Sequence, residues 1–111
     1  MAFDETLASR VRDILAQKNN IEEKRMFGGL AFLLHGNLLV GVWEDSILLR
    51  LGPEVGESAL LEMHVSPFIN AGRLMKGWVI VDQIGLDDDD QLIGWIDRAL
   101  NFVGKLPAKT K

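Results

Sequence analysis

The stretch "GGLAFLLHGNLLVGVWEDSILLRLG" at residues 28–52 constrains the fold more than any other part of the chain. It holds three short apolar runs separated by the dipeptides Gly36-Asn37 and Glu44-Asp45. Two-residue turns of this composition join antiparallel neighbours. The spacing predicts a β-meander with strands Lys24–Leu34, Leu38–Trp43 and Ser46–Leu51. Both registers of these strands are apolar: Leu30, Phe32 and Leu34 alternate with Ala31 and Leu33. A sheet with one wetted face would alternate apolar and polar instead. Either helices cover both faces, or one face meets a second subunit, and a homodimer is the expectation drawn from this.

The flanks supply the helices. Residues 4–18 place Leu7, Val11, Ile14 and Leu15 on one helical face behind a capping Asp4, with Asn19-Asn20 as the exit. Pro53 suits the first turn of a shorter helix running to Met63. Residues 65–77 read as irregular because Pro67, Gly72 and Gly77 punctuate them, and "WVIV" at 78–81 reads as a fourth strand. The stretch 86–106 is the clearest helix, with Leu92, Ile96, Ala99, Leu100 and Val103 as its buried stripe and Trp95 and Phe102 alongside. The order α-β-β-β-α-β-α describes an α+β domain, an antiparallel three-stranded meander plus a further strand packed with three helices. At 111 residues the chain fits one domain, with a short basic tail at 105–111.

Composition removes several function classes. There is no cysteine, so disulfides, thiolate nucleophiles and cysteine-ligated metals are excluded. The net charge of −4 gives no general attraction to nucleic acid. The acidic start carries no secretory signal, and the longest nearly apolar stretch, Leu30–Trp43, is too short to cross a bilayer. These features predict a soluble cytoplasmic protein with no membrane association.

Few of the local motifs carry chemistry. Gly28-Gly29 lacks the Gly-Lys-Ser/Thr ending of a phosphate loop and leads into a hairpin strand. It reads instead as a bulge, or as a place where another backbone or Trp78 comes close. His35 falls in a turn and His64 at a helix end, with no nucleophile elbow near Ser58 or Ser66. No catalytic residue, metal site or cofactor is expected. Asp87–Asp90 precede a strong helix and read as its cap. Arg25, Arg50 and Arg73 lie in or beside the sheet; if they converge, they could hold a carboxylate or phosphate.

The chain also resembles the TfoX amino-terminal domain family. The resemblance rests on "RMFGG" at 25–29, "LLRLGPE" at 48–54, "PF" at 67–68 and "GRLMKGWVIV" at 72–81, closed by a helix with Trp95, and it covers about residues 7–107. It implies an α+β fold and an association with regulation of natural competence and DNA uptake, a role of longer proteins carrying a second helical domain. It implies no catalytic residues. What it carries over is the motif: Arg25, Met26, Phe27, Gly28, Gly29, Pro67, Phe68, Gly72, Arg73, Met75 and Gly77. These are read first as a packing signature and second as a site. Met26, Phe27, Phe68 and Met75 would give an adaptable apolar contact surface if exposed. The resulting expectation is a non-enzymatic regulatory or protein-interaction module with a protein partner. The alternative is a small-ligand or anion-binding domain using the arginines.

Overall fold

The computed structural model describes residues 3–26 and 28–108. Its elements are α1 (Glu5–Leu15), β1 (Ile21–Met26), β2 (Gly29–Leu34), β3 (Asn37–Trp43), β4 (Ser46–Arg50), α2 (Pro53–Ala59), β5 (Val65–Asn70), β6 (Arg73–Val81) and α3 (Asp89–Val103), with a short 3-10 turn at Gln83–Leu86. The strands form one antiparallel sheet in the order β1-β2-β3-β4-β6-β5. The α+β class and the order of its parts are those the sequence predicts.

The strand count is larger than predicted, for two physical reasons. The expected strand Lys24–Leu34 is a hairpin, folded where Gly28 takes φ +78°. Its partners run from Ile21↔Leu34 to Met26↔Gly29. The stretch expected to be irregular contains β5 and the first half of β6, joined through Ala71 (φ +53°) and Gly72 (φ +80°). Pro67 gave no warning of a strand because proline cannot donate to a ladder. β5 lies at the sheet edge, where a missing donor on the outer side is tolerated.

Local chemistry accounts for the helices. The Asp4 carboxylate accepts from the Thr6 and Leu7 amides at 2.8 and 3.1 Å. Asp88 caps α3 by accepting from the Asp90 amide at 3.0 Å, while the Gln91 side chain accepts from the Asp88 amide at 3.2 Å. The acidic run is therefore a helix start. α2 is shorter than expected; beyond Ala59 the chain turns and reaches His64 at φ +69°.

The core lies on one side of the sheet. Leu7, Val11 and Leu15 of α1 and Leu92, Ile96, Ala99 and Val103 of α3 pack against Phe32, Val40, Val42, Ile47, Leu49, Val79 and Val81. An irregularity opposite Phe32/Leu33 makes Leu39 an extra residue in β3, and both Leu39 and Val40 are fully buried. Among the described residues no polar or charged side chain is buried. No helix of the described residues is long and apolar enough to cross a membrane.

Candidate functional site

The sheet face away from the helices carries Ala31, Gly41, Leu48, Ile80 and Ser66 in one cross-strand row. No helix of the described residues seals this row; the sheet curls over it instead. Phe68 on β5 and Trp43 on β3 stand three strand spacings apart, about 14 Å in a flat sheet, yet their rings lie 6.5 Å centroid to centroid. Phe68 also meets Trp78, at 6.3 Å. The result is an open cleft with a cavity of about 260 Å³. Its floor is Ala31, Gly41 and Leu48, and its walls are Met26, Trp43, Phe68, Met75 and Trp78. Among the described residues Asn70 supplies the one side-chain amide in the lining, and none of the lining groups is titratable.

Gly77 is what lets β6 build one wall. Met75 and Trp78 are three positions apart and would face opposite sides of a regular strand. Between them Gly77 adopts φ +89°, which breaks the alternation so that both line the cleft. The same residue takes the pressure of α2. A Cβ added to Gly77 would sit 2.9 Å from the Gly52 carbonyl carbon, and one on Gly56 would sit 2.9 Å from the Gly77 Cα. The Gly77 carbonyl accepts from the Leu51 and Gly52 amides at 2.8 and 3.1 Å.

The sequence-selected residues divide as follows. Met26, Gly29, Phe68 and Met75 are brought together on the cleft. Gly29 packs where a Cβ would lie 2.6 Å from the Val42 carbonyl oxygen, so the close approach is by the β3 backbone rather than by Trp78. Gly28, Pro67 and Gly72 serve the turns and the edge strand. Phe27 lies outside the described residues.

The contacts of the three arginines do not join them. The Arg25 guanidinium lies 5.4 Å from the centre of the Phe3 ring, on the helix side. Arg50 lies between Trp78 and Phe102, at 5.2 and 5.8 Å. Arg73 is exposed opposite Asn70 at the start of β6. None of the three lines the cleft. The aromatic walls Trp43 and Trp78 were not singled out from sequence as site residues. Their signal was available: aromatic residues ending one strand and opening another, beside a motif rich in methionine.

Electrostatics separates the two sides of the molecule. The helix arginines are all matched. Arg10 meets Asp89 at 3.0 Å, Arg12 meets Glu23 at 2.7 Å, and Arg98 meets Glu62 at 2.8 Å while stacking on Trp95. The hydrogen bond from Arg12 holds the Glu23 carboxyl below the usual glutamate range and raises the guanidinium in turn. Among the described residues the strand arginines form no ion pair. His64 and Asp82 stand 3.5 Å apart beside the 3-10 turn, and His35 is an exposed turn residue at φ +52°.

Fold and cleft define a small α+β domain built on one curled antiparallel sheet, helices on one face and an apolar trough on the other. The TfoX N-terminal domain model matches residues 13–103, and the chain belongs to that family. No curated protein sequence matches it.

Proposed function

We propose that the chain is a non-enzymatic regulatory interaction module that takes an apolar side chain of a protein partner into the cleft. The observation that carries this is the lining itself. Two methionines and three aromatic rings surround the cavity, and among the described residues no acid, base or nucleophile lines it. Methionine and aromatic walls adapt to a bulky apolar group, whereas acid–base chemistry needs a titratable group within hydrogen-bond reach. The motif on which the family resemblance rests contributes Met26, Gly29, Phe68 and Met75 to this one place.

The test is a thermal-shift titration with N-acetyl-tryptophanamide, a neutral stand-in for an inserted aromatic side chain. A ligand that binds only the folded state raises its melting temperature. The Gly41→Leu variant is the control. A Cβ there meets nothing closer than 3.8 Å, so the new side chain fills the cleft floor without a backbone clash. The expected result is a concentration-dependent rise in the wild type and none in Gly41→Leu. A rise of equal size in both would contradict the reading.

Self-association is a second reading, favoured by the β5–β6 hairpin. Ile69 and Leu74 oppose each other there, about 60% and 62% exposed. Light scattering at high protein concentration tests it: a dimer that Ile69→Asp dissociates supports it, and a wild-type monomer removes it.

A further inference from the structure

The cleft is apolar, but its surroundings are charged in a way the rest of the molecule is not. Residues directly opposite each other in an antiparallel pair project from the same face. Ala31 and Asn70 line the cleft, so their partners Lys24 and Arg73 stand on the cleft face with them. Arg50, opposite the cleft residue Trp78, carries its guanidinium to the end of the sheet, between the Trp78 ring and Phe102 of α3. The one strand carboxylate placed there in the same way is Glu22, opposite Leu33 at the far edge. Three cations on this face and at its end stand against Glu22 and against Glu44, which borders the same face beside Leu48 and Ile80, in a chain whose net charge is −4. None of the three cations has a carboxylate partner among the described residues. An apolar trough with a cationic rim complements an apolar group carrying anions on either side.

The separation of the cations decides between a small molecule and a chain. Arg73 and the Arg50–Trp78 pair are five residues apart along β6, roughly 16 Å at strand rise. A compact carboxylate filling the cavity reaches one end or the other. An extended peptide of about five residues spans both. Resting on the reading of the cleft as an interaction site, we infer that its occupant is an acidic segment of a protein partner, with a bulky apolar residue in the cleft and carboxylates at both ends against Arg73, Lys24 and Arg50. Rim charges of this kind select and steer a partner more than they hold it.

Three acetylated and amidated heptapeptides test this by calorimetry on the full chain at low ionic strength, where exposed charges are least screened. All share a central Leu-Trp-Leu; the two residues at each end are glutamate, serine or lysine. The glutamate peptide is expected to bind about tenfold more tightly than the serine peptide, with the lysine peptide weakest. Arg73→Glu, at an exposed hairpin position, should bring the glutamate peptide down to the serine level and leave the serine peptide unchanged. Lys24→Glu should act in the same direction. Equal binding of the glutamate and serine peptides, or tighter binding of the lysine peptide, overturns the acidic occupant and leaves the interaction module standing. Failure of all three peptides to bind overturns both.

Discussion

Leu48 and Leu49 are consecutive in β4 and face two different environments. Leu49 is fully buried in the core under α1 and α3, whereas Leu48 forms part of the cleft floor. The helix face is sealed by two amphipathic helices, and its arginines are matched with carboxylates. The opposite face is closed only by its own curl and by aromatic side chains, and its cations are unmatched among the described residues. One sheet thus presents a completed core on one side and an open cleft lined by large apolar groups on the other.

The largest predicted contrast comes from truncating these neighbours. Leu49→Ala should lower unfolding free energy by about 3 kcal/mol, because a sealed core leaves a void that cannot collapse. Leu48→Ala should cost about 2 kcal/mol, the transfer loss alone, because its largely buried side chain borders the open cleft and leaves no sealed void. Urea unfolding of the two variants measures the difference; equal losses would show that the two faces are packed alike. Next in size is Gly77→Ala, expected to cost about 2 kcal/mol through its left-handed backbone and its contact with Gly52. It should also disturb the cleft, because Gly77 is what turns Met75 and Trp78 to the same side. Gly28→Ala, left-handed but in open space, should cost about 1 kcal/mol and leave the cleft intact.

Much of this architecture was legible in the sequence. The turn at Glu44-Asp45 is the predicted one, whereas the first falls at His35-Gly36, one residue before the expected Gly36-Asn37, with Asn37 already paired to Leu34. Asp4 and Asp88 announced the helix starts, and the apolar stripe of α3 is the one that packs. Two elements escaped. β1 merged with β2 because a left-handed glycine and a strand glycine look alike in a string of letters. β5 was hidden by Pro67, which argues against a strand unless the strand is known to be an edge. The cleft escaped for a different reason: its walls come from β1, β3, β5 and β6, and only the curl of the sheet brings Phe68 over Trp43. The doubled apolar registers did signal a second apolar surface. They could not show that the surface folds in on itself.

The smallest expected effects concern charge. Glu23→Gln should weaken the match with Arg12 slightly. The Glu23 carboxyl titrates lower in the folded chain than in the unfolded one, so its contribution is present at neutral pH and is lost as pH falls through the folded value. The stability gap between wild type and Glu23→Gln should therefore be constant above about pH 5 and close below about pH 4. Arg73→Ala, with no carboxylate to lose among the described residues, should leave stability unchanged at every pH in that range. A loss there comparable to that of Glu23→Gln would show that the cleft-face cations are matched after all.

The central claim, that the curled face is where this module meets its partner, is tested most directly by an amide chemical-shift map of the protein titrated with N-acetyl-tryptophanamide. Shifts are expected to concentrate at Ala31, Gly41, Leu48, Met75 and Trp78 and to disappear in Gly41→Leu. Shifts centred on α1 or α3, or a response that Gly41→Leu leaves intact, would contradict it.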